Sequence, residues 1–232
     1  MKNNEHLIEV ENLSKFYTQN GMSITAVKSI SMDIRKGEFT AIAGPSGSGK
    51  TTLLNLISGL DIPSEGTVLL AGKAISRMSG NELSDFRRDH IGLIFQSFNL
   101  VPVLTVAENI EYIMLLQGVS KKERAKRVSL ILKDVDLQEK ENRFPAQLSG
   151  GQQQRVAIAR AMVANPDIIL ADEPTANLDS KTGSALINMM KDLNERKDKT
   201  FIFSTHDNMI MERAKRLILL KDGEIESDEN HD

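Results

Sequence analysis

The residues of this chain best suited to chemistry begin at Gly44-Pro45-Ser46-Gly47-Ser48-Gly49-Lys50-Thr51. This is the spacing G-x-x-x-x-G-K-[ST] of a phosphate-binding loop. Its glycines let successive backbone N–H groups turn inward onto phosphate oxygens, and a following helix adds its positive end. Lys50 is expected to bridge the β- and γ-phosphates and Thr51 to place its hydroxyl on Mg²⁺, with Thr52 just behind. A second cluster closes an apolar run: Ile168-Ile169-Leu170-Ala171-Asp172-Glu173. Side chains alternate along a strand, so the two acids are expected to play different roles. Asp172 would hold Mg²⁺, directly or through water, and Glu173 would orient or deprotonate an attacking water. His206 follows the run Thr200–Thr205. It is either a helix-cap or surface residue or, since strand ends line the crevice of a parallel sheet, a group within reach of the γ-phosphate. Leu148-Ser149-Gly150-Gly151-Gln152 reads as a helix start with Ser149 as N-cap. It is either a second anion-binding tip or an ordinary glycine-containing helix start.

Short apolar runs that alternate with helical patterns must position these groups, which predicts an α/β domain with a largely parallel central sheet. Residues 38–43, 168–171 and 200–203 read as buried strands. A helix follows the phosphate loop, with Leu53, Leu54, Leu56, Ile57 and Leu60 on its stripe and Gly59 near its close. Pro63–Gly66 turns into an antiparallel strand at Thr67–Leu70. Residues 106–135 read as mostly helical, with Ala125, Val128, Ile131, Leu132 and Val135 on one face. The cluster Lys121, Lys122, Arg124, Lys126 and Arg127 is either that helix's solvated side or a partner-binding patch. Ala185, Leu186, Met189, Met190 and Leu193 mark another helix, and residues 217–225 a hairpin about Asp222-Gly223.

Composition narrows the classes. The 232 residues, 40% hydrophobic, suit one compact domain or a domain with a subdomain. With 0 Cys there is no disulfide framework or thiolate metal site, which fits a reducing compartment. A net charge of −3 argues against a nucleic-acid partner held by bulk electrostatics. The opening Met-Lys-Asn-Asn-Glu-His lacks a signal-peptide layout, and the run Tyr112–Leu116 is far short of the roughly 20 residues that span a bilayer. Service to a membrane would therefore go through a partner.

Taken in order, these motifs resemble the ATP-binding subunits of ABC transporters over nearly the whole chain, with Leu148–Gln152 in the place of the signature motif. The resemblance implies a P-loop NTPase (RecA-like) core, at about residues 1–95 and 160–232, with an antiparallel β subdomain. A helical signature subdomain would occupy about 96–159. It implies ATP and Mg²⁺ as ligands and places Tyr17 on the adenine. Gln96 would be the Q-loop glutamine beside the metal, Ala176-Asn177-Leu178-Asp179 the D-loop, and His206 the switch histidine. Ser149, Gly150, Gly151 and Gln152 would face the γ-phosphate held by an opposite subunit, so that two ATP lie between two head-to-tail copies. The partners implied are a second ATPase subunit and an integral membrane permease-type subunit, with the chain on the cytoplasmic face of the membrane. Residues 95–102 run into an apolar stretch with Phe98, Leu100, Val101 and Leu104. It is either an exposed docking surface for coupling helices or a loop packed on its own helices.

Phe86–Arg88, Ile91–Gln96, Ser97–Leu100 and Leu148–Arg160 are similar to the lipoprotein-releasing and macrolide-exporter branch (LolD, MacB), with the FtsE cell-division ATPases nearby. Ala176 departs from the glycine that many members of that branch carry. An FtsE-like signalling ATPase and a nucleic-acid-associated ABC ATPase are the alternatives. The single motif set, the lack of Cys and the lack of a long heptad stretch speak against the latter.

Overall fold

The computed structural model describes residues 6–19 and 21–231; residues 1–5, and with them most of the opening stretch read for a signal peptide, lie outside it. Its centre is a six-stranded sheet in the order β10-β9-β3-β8-β7-β6. The strands are β3 (Phe39–Ala43), β6 (Ile91–Ile94), β7 (Ile168–Asp172), β8 (Thr200–Thr205), β9 (Arg216–Lys221) and β10 (Glu224–Asn230). All neighbours pair in parallel except β9 and β10, which form the expected hairpin. A smaller antiparallel sheet, β2-β1-β4-β5, is built from β1 (His6–Gln19), β2 (Met22–Arg35), β4 (Glu65–Leu70) and β5 (Lys73–Ala74).

The central strands read as unbroken apolar runs because both of their faces are covered. Alternation sorts their side chains into two cores. Phe39, Ala41, Ile169, Ala171, Phe201 and Phe203 join one buried cluster, and Ile42, Ile168, Leu170 and Ile202 join the other. The first lies under α3 (Val106–Leu116), α4 (Lys121–Asp134), α5 (Gly150–Val163) and α6 (Ser180–Lys197). In it, the rings of Phe39 and Phe203 sit 4.6 Å apart. The second lies between the sheet, α1 (Lys50–Ser58), α2 (Gly80–His90) and the antiparallel sheet. A short α7 (Asn208–Met211) follows β8.

Residues 106–135 form two helices rather than one, broken at Gly118, which adopts φ 73°. On α4 the stripe Val128, Ile131, Leu132 and Val135 is buried as expected, but Ala125 faces solvent. On α6, Leu186, Met190 and Leu193 are buried, whereas Ala185 is exposed and Ile187 takes the inward position. Small alanines are poor reporters of a buried face. In the basic cluster on α4, Lys121, Lys122 and Lys126 are exposed, while Arg124 pairs with Glu111 at 3.0 Å and Arg127 with Glu123 at 2.8 Å. Residue 160, where the sequence suggests a return to the core, falls within α5. Helices α3, α4 and α5 share one apolar cluster with the sheet. Among the described residues no helix is long and apolar enough to cross a membrane.

Candidate nucleotide site

The phosphate loop runs from the buried end of β3 into α1, whose N-cap is Gly49. Gly49 has φ 101°, and a Cβ there would meet the Ala26 carbonyl oxygen at 2.3 Å, so only glycine fits. Lys50 is buried, and its Nζ donates to the carbonyl oxygens of Gly44 (2.8 Å) and Pro45 (3.0 Å). The ammonium is thus already drawn into the concavity of the loop. Ser48 Oγ is buried with no hydrogen-bond partner. Such an orphan is costly unless a ligand satisfies it. A cleft of about 760 Å³ opens here, lined among others by Pro45, Ser46, Gly47, Gly49, Lys50, Thr51, Thr52, Gln96, Glu173 and His206.

The two acids separate, though by a different device from the one the sequence suggests. Strand β7 ends at Asp172, whose carboxylate accepts the Thr51 hydroxyl at 3.1 Å. Glu173 then turns into the left-handed region, φ 47°, so backbone curvature rather than strand alternation sets its direction. Its N–H donates to the Ser204 carbonyl at 2.9 Å, and its Oε1 lies 2.8 Å from His206 Nδ1. A left-handed glutamate costs roughly 1–3 kcal/mol and persists only where its surroundings enforce it. His206, over which the sequence left two readings, is partnered with Glu173 on the cleft wall.

Thr51 and Asp172 form an oxygen pair that suits a hard divalent cation shared with phosphates. Among the described residues no group of three or more His, Cys, Asp or Glu is gathered to hold a metal alone. One hydroxyl and one carboxylate fit Mg²⁺, which takes one or two protein ligands and completes its shell with phosphate and water.

Other expected site residues lie elsewhere. Ser149 caps α5 and exchanges bonds with Gln152: its N–H donates to Gln152 Oε1 at 3.1 Å, and its Oγ accepts the Gln152 N–H. Asp179 caps α6, accepting from the Thr182 N–H (3.0 Å) and hydroxyl (2.6 Å). Ser149, Gly150, Gly151, Gln152 and Asp179 are absent from the lining of this chain's cleft. The tip of α5 and the start of α6 are instead pressed together, since a Cβ on Gly151 would meet Thr182 Cγ2 at 2.4 Å. Tyr17 stands on β1, 40% exposed.

The apolar stretch after Gln96 is mixed. Val101 and Val103 are exposed, at 42% and 77%, while Phe98 and Leu104 are half-covered and Leu100 packs on the core. Phe98 and Asn99 are both left-handed. Arg160 holds this turn, donating to the carbonyl oxygens of Asn99 (2.5 Å) and Phe98 (2.9 Å). Burial pulls its pKa below the ordinary value, although a guanidinium stays charged. Beside the turn is a second cleft of about 580 Å³, lined in part by Phe95, Asn99, Tyr112, Leu116 and Arg160. Sequence reasoning missed Arg160, Val103, Asn109 and Gln154. Asn109 bonds the backbone of Val101, Leu104 and Thr105, and Gln154 donates to the Pro174 carbonyl at 2.9 Å. For Arg160, Asn109 and Gln154 the signal available was a polar side chain on the inward face of a helix; Val103, an exposed loop residue, carried none.

The ABC transporter family model matches residues 27–176. This chain belongs to the ABC transporter family. It is 47% identical over 227 residues to "Uncharacterized ABC transporter ATP-binding protein MJ0796" of Methanocaldococcus jannaschii, covering 96% of this chain and 97% of that one. It is also 44% identical over 222 residues to the macrolide export ATP-binding/permease protein MacB of Haemophilus ducreyi, covering 96% of this chain but 32% of that protein. The expected likeness to the macrolide-exporter branch is therefore borne out. A solved structure described as a dimeric post-hydrolysis state of the ATP-binding cassette MJ0796 bound to ADP and Pi superposes with a TM-score of 0.89 at 46% identity, over 96% of this chain and 98% of that one. The chain is an ABC ATP-binding cassette, and the expected α/β fold is the one found.

Proposed function

We propose that the chain hydrolyses ATP as one half of a pair of identical cassettes and delivers the resulting motion to a separate permease-type membrane subunit. The observation that carries this reading is the meeting of Lys50, the Thr51–Asp172 pair, Glu173 and His206 at one cleft, while the Ser149 tip of the same chain stays out of it. The loop N–H groups and Lys50 bind the triphosphate; Lys50 exchanges its loop carbonyls for phosphate oxygens as the ligand enters. Thr51, Asp172 and Gln96 would hold Mg²⁺, which when bound would neutralise charge on the phosphates. Glu173 accepts a hydrogen bond from the attacking water and takes its proton. His206 fixes the Glu173 carboxylate through Nδ1 and turns the rest of its ring to the cleft.

Water is excluded and the γ-phosphate fully enclosed only when Ser149 and Gly151 of a second copy close over it, with the neighbouring Asp179 cap beside them. The tight α5–α6 contact moves these elements together. ATP bound by both faces shifts the pair toward closure by its differential affinity, and loss of the γ-phosphate removes that bias. The dimeric solved relative supports this arrangement. The macrolide-export relative, whose length is about two-thirds beyond the match, supports a membrane permease as the driven part. The cleft beside Arg160 and the exposed Val101 and Val103 offer that subunit an apolar seat next to Gln96. The cytoplasmic face of the membrane is the corresponding location.

Glu173→Gln tests the reading. It keeps ATP binding, slows turnover by roughly 10²–10⁴-fold, and with ATP and Mg²⁺ elutes as a dimer in size exclusion. A variant that remains monomeric under saturating ATP would sink the paired mechanism.

A further inference from the structure

Tyr17 is tied into a cluster that the catalytic reading does not use. Its hydroxyl donates to Asp61 Oδ2 at 2.7 Å. Asp61 Oδ1 accepts from Lys15 Nζ at 2.6 Å and from the Ile62 N–H at 2.7 Å. Lys15 Nζ also donates to the Ile62 carbonyl at 2.7 Å and stands 5.0 Å from the centre of the Tyr17 ring. The three side chains close a triangle of two hydrogen bonds and one cation–π contact. Burial and Asp61 together raise the Tyr17 pKa, and Asp61 is held below the ordinary carboxylate value, against its partial burial, by Lys15 and Tyr17. The phenol therefore stays a donor and the carboxylate an acceptor across the neutral range.

The location gives the triangle its meaning. Strand β1 pairs with β4 as far as Ser14↔Glu65; beyond that, among the described residues, β2 is its one strand partner, and the Phe16 N–H donates to Ser64 Oγ at 3.0 Å. Tyr17 thus stands on a two-stranded overhang, which by itself is a yielding support. Asp61 belongs to the opposite, rigid side. The N–H groups of Leu60 and Asp61 both donate to the Asn55 carbonyl at the end of α1, just past the Gly59 cap. The N-terminus of that same helix carries the phosphate loop, about 14 Å away along the axis. Thr52, on the first turn of α1, lines the nucleotide cleft.

We propose that Asp61, backed by Lys15, is a positioning residue that locks the Tyr17 ring to the phosphate-loop helix, so that base platform and phosphate cradle are held at one fixed separation. The inference rests on the reading that Tyr17 stacks on the base of the nucleotide. Lys15 stands over one face of the ring, and the side chain is 40% exposed. A nucleotide anchored by its phosphates reaches a ring held at a set distance without first having to order the overhang, so affinity gains from preorganisation.

The test compares binding of ATP and of inorganic tripolyphosphate, which has no base, by calorimetry on the full chain. Asp61→Ala is expected to weaken ATP roughly three- to tenfold and to leave tripolyphosphate unchanged. The isosteric Asp61→Asn, which guards against loss of folding, should weaken ATP less and likewise spare tripolyphosphate. Tyr17→Phe should lose about as much ATP affinity as Asp61→Ala, and the two combined should lose no more than either alone. Equal losses for both ligands would make Asp61 a mere support of α1 and overturn the proposal. So would ATP binding untouched by Asp61→Ala in a protein where Tyr17→Ala weakens it. If Tyr17→Ala itself leaves ATP binding unchanged, the stacking reading fails first and the positioning role falls with it.

Discussion

At the scale of single residues, Glu173 concentrates the tension between stability and chemistry. It is an ordinary acid in composition, yet its backbone is left-handed and its carboxylate is tied to His206 across the end of the sheet. Glycine would adopt φ 47° without strain. Glu173→Gly is therefore expected to raise the unfolding free energy by about 1 kcal/mol while turnover collapses. Thermal unfolding set beside a phosphate-release assay checks both halves, and a lower melting temperature would show that the His206 contact outweighs the strain. Lys50 and Ser48 differ from Glu173 in kind. Their backbones are unstrained by comparison: the Lys50 ammonium is turned onto the carbonyl oxygens of its own loop, and the Ser48 hydroxyl is buried without a partner.

At the scale of elements, helix α5 connects what the chemistry needs connected. Its N-terminus is the Ser149 tip, its middle sends Gln154 to the Pro174 carbonyl beyond β7, and its last turn sends Arg160 to the Phe98–Asn99 turn. One rigid rod therefore joins the Ser149 tip, the segment after Glu173 and the loop after Gln96. Arg160 secures two left-handed carbonyls with a planar fork that a point-charge ammonium does not reproduce. Arg160→Lys is expected to cost about 1–2 kcal/mol by urea unfolding and to uncouple the turn from α5. Stability equal to wild type would mean that Asn109, which grips the same loop from α3, suffices alone.

At the scale of the whole molecule, what matters is the separation of the cleft from the α5 tip. The cleft has a cradle, an acid and a histidine, but nothing from its own α5 tip. Ser149→Arg, on the tip, is expected to leave ATP binding by the isolated chain within about twofold and to abolish hydrolysis and pairing, because a bulky cation replaces a small donor at the closing face. Normal hydrolysis by this variant would place the tip outside the mechanism. The outward face makes a separate prediction. Val103→Asp is expected to stop recovery of the membrane partner from solubilised membranes, while ATP turnover of the isolated subunit is unchanged, since it puts a charge into an apolar seat. Recovery at the wild-type level would move the docking surface away from residues 101–103.

What the sequence determined by itself is local. The phosphate loop, the strand ending in Asp172-Glu173 and the Ser149 cap each lie within a few contiguous residues, and backbone geometry over such a span follows from residue type. The buried strands were legible for the same reason, as apolar runs bounded by turns. The tertiary structure decided which distant pieces meet: Glu173 with His206, Asp61 with Tyr17, Arg160 with the carbonyls of residues 98 and 99. These pairs are separated by 33 to 62 residues. They are set by the strand order β10-β9-β3-β8-β7-β6 and by helix placement, which periodicity does not encode. The divergence of Asp172 and Glu173 was foreseen, but its cause was not, because a left-handed turn on a glutamate is imposed by the packed surroundings and leaves no mark in the residue itself.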